Sequence, residues 1–217
     1  MGVLVAGGTG GLGVAVVREL VRAGYEVTVV DRQGEAPDGA TLVHADLLDT
    51  AETAGVVEGV AGLEAVVNLV GGFGMGPKVE NAELEEFERL WRLNLVPAFN
   101  LARAAMPVMA GRGGGAFVCV SAKAALEPFP GAAGYISAKA AVLAFVRALD
   151  AEYRDDSVRA NAILPSIIDT PANRDAMPDS DWSKWVSPEQ IARVIRHLVS
   201  QDSEVTSGAA VPVYGRA

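Results

Sequence analysis

The feature that most constrains this chain is the run Ala6-Gly7-Gly8-Thr9-Gly10-Gly11-Leu12-Gly13. It follows a short apolar segment, Gly2 to Ala6, that reads as a strand. It leads into a helical segment, Leu12 to Ala23, in which Val16, Val17, Leu20 and Val21 share one face and Gly24 supplies the stop. Glycines at a strand-to-helix junction permit a tight turn and close approach of backbone to a bound group. The helix start then offers unpaired N–H groups to an anion. The run fits GxGxxG from Gly8, and both GxxGxxG and GxxxGxG from Gly7. It therefore points to a dinucleotide without choosing between binding subtypes.

Further short apolar runs follow at Tyr25–Val30, Thr41–His44, Ala65–Val70, Gly115–Ser121, Val158–Leu164 and Ala210–Val213. Helical stretches lie between them, at Ala82–Ala110 and Ala132–Arg154. Pro97 and Pro107 are expected to bend the first or shift its ends. Ser187-Pro188-Glu189-Gln190 reads as a capping box opening a helix over Ile191–Ser200. The strands are continuously apolar rather than alternating, the pattern of strands buried on both faces. The expected fold is α/β: a single doubly wound parallel sheet, the Rossmann arrangement, with helices on both faces and one domain over 1–217.

Composition removes other classes. Half of the 217 residues are hydrophobic, which excludes a disordered chain. The net charge of −9 argues against a general nucleic-acid binder. A membrane span needs roughly 20 apolar residues in a row, and none is present; no secretory signal is expected. The single Cys119 precludes an internal disulfide and fits a reducing compartment, so a cytoplasmic location is expected. His44 and His197 stand alone, so no metal site is expected. Cys119 reads as a small buried hydrophobe, and Glu83, Glu85, Glu86 and Glu88 as a solvated helix start.

Asp31 closes the second strand, 18 residues past Gly13. A carboxylate there accepts hydrogen bonds from an adenosine ribose and repels a 2′-phosphate, favouring NAD(H). The adjacent Arg32 leaves NADP(H) possible. Asp46, after the third strand, is placed for the adenine end, with Leu47 beside it. Tyr135 and Lys139, four apart, share one helical face. A lysine ammonium there is expected to lower the Tyr pKa, letting the phenol exchange a proton as a hydride moves.

Taken in order, these elements resemble the short-chain dehydrogenase/reductase family over essentially the whole chain. The matching positions are the glycine loop, Asp46, Asn68 to Gly71, Leu93-Asn94-Leu95, Tyr135 with Lys139, and Val158 to Pro165. The resemblance implies that Asn94 holds a water in a proton relay with Lys139, which also binds the nicotinamide ribose. It implies that Gly7, Thr9, Gly10, Gly11, Leu12 and Gly13 meet the cofactor, that Val70 and Gly71 lie along it, and that Pro165, Ile168 and Thr170 embrace its nicotinamide end. It also implies a homodimer or homotetramer built on the two long helices.

One position departs from the family. The family's catalytic serine lies 13 residues before the tyrosine, which here is Ala122; Ser121 falls one residue early, on the opposite strand face. The quinonoid dihydropteridine reductase branch is similar in having Ala there. It also resembles this chain over Ala122–Leu126, in Gly71-Gly72-Phe73 and from Leu164 to Trp182 and Trp185, whereas Asn94 belongs to the wider family. The resemblance implies hydride transfer to a small ring substrate, with Phe73, Ala122 and Trp182 near it and 170–187 as a lid. Two readings stand beside it: a general carbonyl reductase using Ser121 or water, and a non-catalytic NAD(H) sensor.

Overall fold

The computed structural model describes residues 1–216. Seven parallel strands form one sheet in the order β3-β2-β1-β4-β5-β6-β7. They are β1 (Gly2–Ala6), β2 (Glu26–Asp31), β3 (Ala40–His44), β4 (Leu63–Asn68), β5 (Gly115–Val120), β6 (Val158–Pro165) and β7 (Ala210–Val213). The order reverses direction between β1 and β4, so a crevice opens there at the carboxyl ends of the strands. Every strand runs the same way, so successive strands are joined by crossovers over one face or the other.

Side chains alternate between two cores. Leu4 and Ala6 of β1, with Phe117 and Cys119 of β5, face α2 (Thr50–Gly59), α3 (Leu84–Gly111) and α4 (Ala133–Tyr153). Val3, Val5, Ala116 and Val118 face α1 (Gly13–Arg22) and α6 (Pro188–Val199). Burying an aromatic such as Phe117 contributes about 2–3 kcal/mol. Both faces are covered, which is why the strand sequences carry no polar alternation.

Three elements differ from their sequence signatures. Helix α2 has no clear amphipathic stripe. It carries Gly55 and Gly59, buries only Thr53, Val56 and Val57, and starts because the Asp49 carboxylate accepts the N–H groups of Ala51 and Glu52. Helix α3 runs unbroken through Pro97 and Pro107. Each proline lacks an N–H, so the turn before it loses one hydrogen bond, and burial of Pro97, Ala98 and Leu101 offsets the loss. A short helix, α5 (Pro171–Ala176), is capped by Thr170 and precedes a 3₁₀ turn at Trp182–Lys184. The capping box at Ser187 and Gln190 is present at the start of α6.

Candidate functional site

The glycine loop packs against the first turn of α1. A Cβ on Gly13 would lie 2.2 Å from the Gly7 carbonyl oxygen, so only glycine allows the helix to start so close to the strand end. Gly7 has φ +78° and lies against Val70. The start of α1 has no capping side chain and no acidic residue in its first turn. Among the described residues, the N–H groups of Gly11 and Leu12 have no acceptor. An uncapped helix start of this kind fits a diphosphate, and the residues present therefore fit a dinucleotide. A Cβ on Gly11 would touch Thr170, so the loop and the segment after β6 meet at one point.

At the end of β2, Thr9 Oγ1 donates to Asp31 Oδ2 at 2.6 Å and the Arg32 N–H donates to Oδ1 at 2.9 Å. Gly34, at φ +97°, packs against Thr9, where a Cβ would come within 2.9 Å. The Arg32 side chain is exposed. Asp46 accepts the Leu48 N–H at 3.0 Å, and its own N–H goes to Glu52. Leu47 is buried, and its carbonyl accepts from Asn100 Nδ2 at 2.9 Å. Sequence reasoning passed over Asn100 and Gly34. The signal for Asn100 was an amide at a core-facing position of α3, between the buried Ala98 and Leu101.

The chemistry-bearing residues converge beyond the end of β4. Asn68 Oδ1 accepts the Val70 N–H at 3.1 Å. The Asn94 amide accepts from Gly72 N at 3.1 Å and donates to Gly72 O at 3.0 Å and Leu90 O at 2.9 Å. These contacts occupy both N–H donors of Asn94, so its side chain works as a clamp on the loop. A Cβ on Gly71 would lie 2.5 Å from Asn94 Oδ1 and 2.9 Å from Lys139 Nζ, which brings Gly71, Asn94 and Lys139 to one spot.

Lys139 is buried, and its ammonium donates to the Val120 carbonyl at 3.0 Å. It lies 6.0 Å from the centre of the Tyr135 ring, and Phe73 stands edge-on to that ring at 5.1 Å. Burial pushes the Tyr135 phenol up to about 12 and the Lys139 ammonium down to about 8. This corrects the expectation of a lowered Tyr pKa: the ammonium donates to a carbonyl, and loss of water is what moves the phenol. At neutral pH the pair is a neutral phenol beside an ammonium.

Ala122 is buried and extended at the end of β5. Ser121 is buried on the other side, where its hydroxyl donates to the Lys139 carbonyl oxygen at 2.7 Å. Pro165 is buried at the end of β6, and Ile168 bridges to Val186. In the 170–187 segment Arg174 forms a two-pronged ion pair with Asp169 and lies 4.6 Å over Trp182, whose indole N–H donates to Met177 O. The structure thus gives Trp182 partners within its own segment, whereas Phe73 stands directly against Tyr135.

No cluster of three or more His, Cys, Asp and Glu residues suited to a metal occurs among the described residues. No helix among them is long and apolar enough to cross a membrane.

Residues 2–181 match the family described as short chain dehydrogenase. A 4-formylbenzenesulfonate dehydrogenase of Comamonas testosteroni is 29% identical, covering 98% of this chain and 95% of its own. A short-chain type dehydrogenase/reductase from Mycobacterium ulcerans superposes with TM-score 0.92 at 25% identity, over 99% of this chain and 88% of its own. A 3-oxoacyl-[acyl-carrier protein] reductase from Brucella melitensis with bound NAD superposes with TM-score 0.86 at 26% identity, over 99% and 89%. The chain belongs to the short-chain dehydrogenase family and is an NAD(P)-dependent oxidoreductase.

Proposed function

We propose that this oxidoreductase uses NADH to reduce a small, flat, conjugated ring of the quinonoid dihydropterin class. One observation carries the reading: no serine hydroxyl stands at the position 13 residues before Tyr135, and the neighbouring Ser121 hydroxyl is spent on the Lys139 carbonyl. A ketone becomes an alkoxide as hydride arrives and benefits from a hydroxyl donor on its oxygen. A quinonoid ring spreads the incoming charge over its own nitrogens and needs only one proton. Phe73, edge-on to Tyr135, supports the same reading, because an aromatic wall beside the acid suits a flat ring.

When bound, the nicotinamide supplies the hydride. In this reading Tyr135, neutral at pH 7, gives the proton to the ring nitrogen, and the Lys139 ammonium stabilises the phenolate left behind. Lys139 and the loop held by Asn94 take the ribose and nicotinamide, with Val70, Gly71, Pro165, Ile168 and Thr170 around them. Gly7 to Gly13 takes the diphosphate, and Asp46 and Leu47 take the adenine. Asp31 takes the adenosine ribose hydroxyls and disfavours a 2′-phosphate. Trp182 and the 170–187 segment close over the ring, and two or four copies assemble through α3 and α4.

The test is steady-state oxidation of NADH, with NADPH in parallel, against quinonoid dihydropterin generated in situ and against a panel of ketones and 3-oxoacyl thioesters. Saturable turnover of the pterin with NADH supports the reading. Turnover confined to carbonyls would overturn it and favour a carbonyl reductase, as the Brucella protein is named. Tight NADH binding without turnover of either would favour a sensor.

A further inference from the structure

Lys139 is gripped at both ends by two consecutive residues of one strand end. Its Nζ donates to the Val120 carbonyl at 3.0 Å, and its own carbonyl accepts the Ser121 hydroxyl at 2.7 Å. Ser121 is 2% exposed and Lys139 5%, so neither bond competes with bulk water. The Ser121 hydroxyl also has its partner in a helix whose backbone already bonds internally, so the helix itself does not require this bond. The bond joins α4 to the end of β5 at a lysine whose ammonium reaches the Gly71–Asn94 corner.

We infer that Ser121 is a positioning residue: its hydroxyl ties the backbone of Lys139 to the end of β5 so that the ammonium stays on the Val120 carbonyl beside Gly71 and Asn94. The inference rests on the reading that Lys139 belongs to the reaction. It deepens that reading by giving the serine next to Ala122 a task that does not touch substrate. Without the tie, α4 can slide by a few tenths of an ångström, the Nζ–Val120 bond lengthens, and water reaches the ammonium. The titratable groups facing Lys139 among the described residues are Tyr135 on α4 and Cys119 on β5. Burial pushes both up to about 12, so neither changes charge where Lys139 titrates.

The experiment follows the Lys139 side chain in the cofactor-free protein, so it needs no substrate. The chain has four lysines, Lys78, Lys123, Lys139 and Lys184, so ¹⁵N-lysine NMR resolves them, and Lys139→Met assigns the signal. Wild type is expected to titrate at about 8. In Ser121→Ala the midpoint should rise by about one unit as water returns to the ammonium. Ser121→Cys, which keeps the shape with a larger atom and donates weakly, should behave likewise, and Ser121→Thr should restore the wild-type value. A serine that merely packs would lower the melting temperature and leave the midpoint alone. Midpoints in the Ala and Cys variants equal to wild type, or a wild-type Lys139 titrating near its ordinary 10.5, would overturn the inference. In turnover, Ser121→Ala should lower kcat about fivefold while AMP inhibition, which reads only the adenosine end, stays unchanged. Full turnover by Lys139→Met would instead remove Lys139 from the reaction. The titration would still report the tie, so the two failures are distinguishable.

Discussion

Phe73 stands edge-on to Tyr135, with ring centroids 5.1 Å apart and planes at 74°. Phe73 is 59% exposed, so it contributes little to the core and much to what can approach the phenol. Phe73→Ala should raise KM for a flat ring substrate about tenfold and leave the melting temperature within about 1 °C, since about 1.4 kcal/mol of ring contact is lost from binding and little from folding. Phe73→Trp should keep KM near wild type. Equal KM in all three proteins would take Phe73 out of the substrate site.

Tyr135→Phe keeps the ring and its contact with Phe73 but removes the proton. Loss of general acid catalysis should lower kcat by about 10²–10⁴-fold. NADH binding, read by fluorescence, should change less than twofold. On the proposed mechanism, reduction in the wild type needs Lys139 charged, so kcat should fall as pH rises through about 8. A pH profile flat from 7 to beyond 10 would show that the ammonium has no part in the rate.

Asp31 Oδ2 takes the Thr9 hydroxyl at 2.6 Å, which holds the carboxylate at the mouth of the glycine loop. Asp31→Ala should raise KM for NADH by about tenfold and lower it for NADPH, because a carboxylate that repels a 2′-phosphate is gone while Arg32 remains. Thr9→Val should show a weaker form of the same change. Unchanged constants for both cofactors would place Asp31 outside the cofactor site.

Asn100 joins the middle of α3 to the turn after β3, through the Leu47 carbonyl at 2.9 Å, and to the start of α2, through Thr50 Oγ1 at 3.2 Å. Asn100→Leu strands the Leu47 carbonyl and should cost about 1–3 kcal/mol in urea unfolding. AMP inhibition should weaken alongside, since Leu47 and Asp46 then lose their fixed place. A loss of stability with no change in AMP inhibition would confine Asn100 to a structural role.

Stability should respond to pH through Lys139 and Tyr135 with opposite signs. An unfolded lysine keeps its proton up to 10.5, whereas the folded one releases it at about 8. Between those values the unfolded chain holds more protons, so this residue makes stability rise with pH. The unfolded phenol ionises near 10.0 and the folded one at about 12, so Tyr135 makes stability fall above pH 10. Lys139→Met should therefore be more stable than wild type at pH 7, and the difference should shrink as pH approaches 10. A variant less stable than wild type at pH 7 would show that the Val120 bond outweighs the cost of burying the charge.

Much of the fold is legible in the sequence. The glycine run announced its own strand and helix because only glycine tolerates Gly13 within reach of the Gly7 carbonyl. Continuous apolar strands announced a sheet covered on both faces. Helix α2 was illegible because its start depends on one aspartate cap and its burial on a few scattered residues. The two prolines of α3 suggested a bend or shifted ends in a helix that neighbouring layers hold through both.

The site divides in the same way. Residue type and spacing alone determined the glycine loop, the acidic residue closing β2 and the Tyr135–Lys139 pair on one helical face, because these depend on local geometry and on the period of a helix or strand; the alanine at position 122 stood out only through the family resemblance. Tertiary structure decided where each group points and what it meets. It turned Ser121 onto the Lys139 carbonyl, set Asn94 to clamp Gly72, and stood Phe73 against Tyr135. It also reversed the expected direction of the Tyr135 shift. Desolvation is a property of everything packed around a group, including residues more than 60 positions away in the chain, and no local spacing encodes it.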